Sequence, residues 1–221
     1  MSRPPAEPGS RRARAADAGI AALVLLVELA ATYGSLTGAP LDPVEGWTLT
    51  RPTDAVAFAS VVVGCAALYW RRTRPAAALL VATAAYALFL LRDYELGLLL
   101  APMVALYSVA ALGRTRTGSS TAPGERRARY GTSPAGRPSA AALLAASLAG
   151  AAAVAVSLVW VRARTEAVSD PGVALLAWVA FGTVIVVFFV GSFVAGELVR
   201  CHRLLSPRTD PRVSTAPAPA R

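Results

Sequence analysis

The chain has 221 residues, is 55% hydrophobic, has only 16% charged residues and has a formal net charge of +9. A soluble domain of this size carries about 25% charged residues, and here the apolar residues stand in long blocks parted by short charged ones, which points to a helical membrane protein and excludes a water-soluble fold around one large core. The basic residues are 22 arginines and no lysine; they flank the apolar blocks, so they report membrane topology and not nucleic-acid binding.

A bilayer core takes about 20 mostly apolar residues per helix. After a basic segment, 1–17, expected to be disordered, six stretches qualify: 18–36, 54–70, 75–91, 96–112, 139–161 and 173–195. Their separators suit the role. Pro40, Pro43 and Pro52 punctuate the first loop, Pro75 suits a helix start, and Pro171-Gly172 precedes the last span. The first apolar run is longer than the ~7–15 residues of a signal core and contains Glu28, so a cleaved signal is not expected. The loop 113–138 is rich in Gly, Ser, Thr, Pro and Arg, and is expected to be disordered and to lie against anionic lipid headgroups. A short helix of the juxtamembrane type is expected over 196–205, and a disordered Pro-rich tail over 206–221.

The fold class that follows is all-α: a polytopic bundle of six transmembrane helices in the cell membrane. With both termini cytoplasmic, only Arg51, Arg92, Arg162 and Arg164 of the 22 arginines fall outside. That bias is the one cytoplasmic loops show.

Glu28 is the sharpest single residue. It lies near the middle of the first span, where an acid costs a few kcal/mol and marks a functional position by default. Two readings stand side by side. One is a proton-linked or ligand-sensing acid. The other is a packing acid bonded across helices to a hydroxyl, with Thr83, Tyr86, Ser147, Ser157 and Thr183 as candidates.

Small residues recur every four positions at Ala145, Ala149 and Ala153, and in the last span as Gly191 with Ala195 and Ser192 with Gly196. That spacing lets helix backbones approach closely and makes the last set a candidate helix-dimer face. Val194, Leu198, Cys201 and Leu205 step by 4, 3 and 4 residues, the start of a heptad seam. Tyr69, Trp70, Tyr94, Tyr107 and Trp160 read as an aromatic belt. Cys65 and Cys201 read as free thiols, and His202 as a solvated juxtamembrane residue without companions for a metal site. No phosphate loop, nucleophile elbow, paired-acid motif or cofactor motif is present, so no enzyme activity, cofactor or metal is expected.

Three stretches carry a family resemblance: "WRRTRP" at Trp70–Pro75, "VALYSVAALGR" at Val104–Arg114 and "GELVRCHR" at Gly196–Arg203. In order and spacing the chain, over about Gly19–Leu205, resembles the N-terminal membrane region of actinobacterial sensor histidine kinases of two-component systems. In that family the last span runs into a coiled coil, a phosphoacceptor helix and an ATP-binding domain. Here Pro207 and Pro211 interrupt the helix, and His202 lacks the Glu-Leu-His-Asp context of the phosphoacceptor. The resemblance therefore implies a non-catalytic sensor-type module without the kinase part. It would be a truncated form or a partner that pairs with itself or with a full-length kinase. A small transporter or transporter subunit centred on Glu28, or a structural membrane protein, are the alternatives. Reporter fusions after Arg221 and within 113–138 are both expected to read cytoplasmic; an external signal from either overturns the assigned orientation.

Overall fold

The computed structural model describes residues 8–39, 43–95, 97–112 and 140–205. Six helices account for most of them: α1 Pro8–Thr37, α2 Ala55–Ala67, α3 Pro75–Leu91, α4 Leu100–Leu112, α5 Ala140–Arg164 and α6 Pro171–Leu205. No strand occurs among the described residues. Three helices, α1, α5 and α6, are long and apolar enough to cross a membrane. The other three have 13, 17 and 13 residues, short of the ~20 that a bilayer core takes.

The short helices are the inner ones. Helix α3 packs on α2, α4 and α5, and α4 lies between α3 and α6. Residues 101–111 of α4 are buried or half-buried without a break, as expected of a helix that is apolar all round and enclosed by others. Helix α1 stands at the edge. It buries only a narrow stripe, Asp17, Val24, Glu28 and Thr32, with Ala21 and Leu25 half-buried beside it. Those positions recur at helical spacing, so one face of α1 meets the bundle and the rest faces outward.

Among the helix ends that differ from the sequence expectation, three stand out. Helix α1 is already helical from Pro8, the first described residue, well ahead of 18; the arginines that follow Pro8 favour helix. Span 54–70 ends in a single 3-10 turn, Leu68–Trp70. In span 96–112, residues 97–99 are not helical and the helix starts at Leu100. The segment 196–205, by contrast, is no separate helix but the unbroken end of α6. Helix α6 is helical to Leu205, the last described residue. Residues 1–7, the loop 113–138 and the tail 206–221 lie outside the described residues.

Helix α3 ends in a Schellman motif. The Asp93 amide donates to the Leu90 carbonyl at 2.9 Å and the Tyr94 amide to Phe89 at 3.4 Å, with Asp93 in the left-handed region at φ 71°. Satisfying the last carbonyls this way ends the helix without orphan acceptors.

Gly196 sets the distance between α4 and α6. A Cβ there would lie 2.6 Å from the Ala110 Cβ and 2.7 Å from the Tyr107 carbonyl oxygen. Gly191 has open space around it. Gly196→Leu is therefore expected to lower stability by about 1–3 kcal/mol, the usual cost of overpacking, and Gly191→Leu to change it little. Thermal melting in detergent checks this; equal effects of the two would refute the assigned helix contact.

Candidate functional site

The site is built where α4 begins. Helix α1 runs for 30 residues and places Glu28 halfway along the bundle, about 17 Å from Asp17 at ~1.5 Å rise per residue. Residues 97–99 approach in non-helical form, with Leu98 at φ 33° and fully buried. Helix α4 then opens with Leu100, and its first backbone N–H groups have no partner within the helix. Glu28, only 3% exposed, supplies one. The Leu100 amide donates to Glu28 Oε1 at 2.7 Å, with the Leu98 and Ala101 amides also within reach of the carboxylate. The positive end of the α4 dipole faces the same group. Pro102, fully buried in the first turn of α4, removes one further N–H that would need a partner.

None of the hydroxyls proposed as partners of Glu28 holds it. Tyr86 Oη and Ser157 Oγ bond to each other at 2.5 Å. Ser157 also donates to the Ala153 carbonyl, and Ser147 to Leu144. Thr83 Oγ1 is buried without a partner, and Thr183 is exposed. Side-chain spacing does not reveal the amide partner, because a backbone N–H becomes available only where a helix starts.

Two charged clusters at opposite ends of the bundle were missed by the sequence reading. At one end Asp17, 4% exposed, accepts from Arg71 Nε and Nη2 at 3.0 and 2.8 Å and from Arg72 Nε at 2.7 Å. This ties α1 to the turn between α2 and α3. Breaking such a buried pair typically costs about 3–5 kcal/mol. A sequence signal did exist: Asp17 and Glu28 are eleven residues apart, close to three helical turns, and so share a face.

At the other end Arg164, 3% exposed, forms an ion pair with Asp93 and donates to the Thr48 and Leu49 carbonyls at 3.2 and 2.6 Å. It also lies over the Trp160 ring at 5.2 Å. The loop after α1 folds down onto it. Trp47 packs against Trp160 and Phe181, and Gly46, at φ 86°, would place a Cβ 2.8 Å from the Ala167 carbonyl oxygen. Tyr94 closes the cluster. Its carbonyl accepts from Trp160 Nε1 at 3.1 Å and its hydroxyl donates to Asp54 Oδ1 at 2.5 Å. Asp54 caps α2 through the Val56 and Ala57 amides at 2.8 and 3.2 Å. The Tyr94 hydroxyl is the main cause that holds the Asp54 carboxyl below the usual carboxylate range, with the α2 amides and Arg51 adding to it. Burial, and then Asp54 itself, push Tyr94 up. Tyr94 and Trp160 thus belong to the core and not to an aromatic belt; Tyr69 and Trp70, at the Asp17 end, are exposed.

The candidate dimer face is divided. Gly191 and Ala195 are exposed, Ser192 is half-buried and donates to the Phe188 carbonyl at 2.8 Å, and Gly196 is used up against α4. Val194, Leu198, Cys201 and Leu205 are all exposed along one face of α6. Cys65 is a buried free thiol and Cys201 an exposed one.

An all-helical chain with three helices able to cross a bilayer is a helical membrane protein by its composition and fold. The family model of a domain of unknown function, DUF7134, matches residues 8–124. That is over half of the chain, and the protein belongs to this family. The Glu28 site and both charged clusters' α1–α3 partners lie within the matched part; Arg164, α5 and α6 lie beyond it. No curated protein and no solved structure matches the chain.

The cap makes a graded expectation. Glu28→Gln keeps an acceptor oxygen and should be tolerated. Glu28→Leu leaves buried amides unsatisfied and should cost about 1–3 kcal/mol. Glu28→Arg should cost more, because it sets a cation against the positive helix end. Melting in detergent orders the three; Leu as mild as Gln would mean that α4 does not depend on the carboxylate.

Proposed function

We propose that the protein is a non-catalytic sensor-type membrane module, in which α6 carries a conformational signal out of the bundle to a second helix of the same kind. All six helices lie in the cell membrane in this reading, with both termini cytoplasmic, so that the Asp17–Arg71 cluster is inside and the Arg164 cluster outside. One observation carries the reading. Helix α6 runs unbroken for 35 residues, about 52 Å at ~1.5 Å per residue, far more than a ~30 Å hydrocarbon core. It is packed closely against α4 at Gly196. Beyond that point Leu198, Cys201 and Leu205 continue the exposed stripe from Val194 at the spacing of a coiled-coil seam. A rigid helix that begins beside the Arg164 cluster and projects past the opposite end can transmit a rotation or a shift along its length. The partner is a second copy or a sensor kinase of the type the sequence resembles.

A second reading, a small transporter or transporter subunit centred on Glu28, draws on the non-helical entry to α4. Transporters place binding sites at such interrupted helices. Proton-linked uptake that is lost in Glu28→Gln while the fold survives would favour it.

Site-directed crosslinking in native membranes tests the seam. In a background without Cys65 and Cys201, single cysteines at 194, 198, 201 and 205 should crosslink between chains several-fold faster than one at Val199, on the Gly196 side of the helix. Equal rates at Val199, or no crosslinking at any of the four, would overturn the seam.

A further inference from the structure

On the outside of the bundle a groove of about 630 Å³ opens between α2 and α3. Val63 and Ala66 on α2 and Ala77 and Val81 on α3 line it, and Trp70 and Arg74 stand at the end where the two helices are joined. From Val63 to Trp70, and from Arg74 to Val81, is seven residues. The groove therefore runs about 10 Å from the turn toward the middle of the bundle. Alanines at its floor keep it open, and Val63, Trp70 and Val81 face outward at 52%, 52% and 41% exposure. In a bilayer such a surface is covered by lipid.

The charge at the mouth of the groove is unbalanced. Three arginines share this turn, and among the described residues Asp17 is the one carboxylate paired with them. Asp17 takes both Arg71 and Arg72. Arg74 is exposed, and its guanidinium makes no hydrogen bond or ion pair among the described residues. An apolar slot, an exposed indole and an uncommitted guanidinium at one end match the parts of a single molecule.

We propose that the groove is a binding site for an anionic phospholipid, with one acyl chain between α2 and α3 and the phosphate on Arg74. The chain fits by shape alone, since every lipid tail is as apolar as the groove. Selection among lipids comes from charge, because a cation at this depth attracts anionic headgroups. The inference rests on the membrane placement of the bundle and is independent of the signalling role of α6.

Fluorescence quenching reads the site, because Trp70 lines it. The full chain is placed in nanodiscs containing brominated-chain phosphatidylglycerol or brominated-chain phosphatidylcholine, and the Trp70→Phe signal is subtracted. Phosphatidylglycerol should quench Trp70 at about five-fold lower mole fraction, the factor for one arginine near an anionic surface. Arg74→Gln should bring the two lipids together without changing the melting temperature. Arg92→Gln, an exposed arginine at the other end of the bundle, should leave the preference intact. Ala77→Leu, which fills the groove, should weaken quenching by both lipids. Equal quenching in the unmodified protein, or a preference that survives Arg74→Gln, overturns the proposal. So does a preference abolished by inorganic phosphate at matched ionic strength, which would assign Arg74 to a free anion.

Discussion

The start of α4 in the middle of the bundle is the constraint on which the rest of the structure depends. Non-helical backbone at such a depth is tolerated only where protein groups satisfy its hydrogen bonds. The Glu28 carboxylate meets that need by accepting from the Leu100 amide. For this to happen α1 must bring one particular turn to α4, and its buried stripe from Asp17 to Thr32 does so. An acid that would be costly alone and amides that would be costly alone cancel each other's expense. No cation or hydroxyl is required, which explains how Glu28 can be buried when its surroundings contain neither as a partner.

The two ends of the bundle are closed by arginines used in different ways. At the Asp17 end, two guanidiniums converge on one carboxylate and fasten the edge helix α1 to the α2–α3 turn. At the other end, one guanidinium serves backbone carbonyls of the first loop and the side chain that ends α3. Arg164 thereby joins α5, the first loop and the α3 terminus into one lid, with Trp47 and Trp160 filling the space beneath. Helix α6 escapes both fastenings over its last two turns. Its Gly196 contact holds it against α4, and past that point Leu198, Cys201 and Leu205 of its apolar stripe are exposed among the described residues. The proposed signalling role follows from this contrast between a bundle pinned at both ends and one helix that leaves it.

Much of the helical frame was legible because apolar runs and proline punctuation act locally. The bounds of α3 match the expected 75–91, and Pro75 opens that helix as the residue's fixed φ favours. Asp54 caps α2 one residue before its start. Glu28 stood out by its cost. Its role did not, because it depends on a backbone amide rather than on a residue type. Arg164 carried a signal that is clear in retrospect. In the orientation expected from the sequence it is one of four arginines placed outside, against the usual charge bias, and the structure shows it buried and paired with Asp93.

The sequence by itself determined an all-helical, membrane-type chain, the bounds of α3 and the approximate positions of the other helices, and the apolar stripe on α6. Those features depend on hydrophobic periodicity, proline geometry and charge flanking, each of which acts over a few residues. The tertiary structure alone decided that α4 begins in mid-bundle on Glu28, that Asp17 and Asp93 are claimed by buried arginines, and that Gly196 packs against α4. These are contacts between residues from about 50 to over 85 positions apart, and no local pattern encodes which distant helix end or glycine will meet across a packed interface.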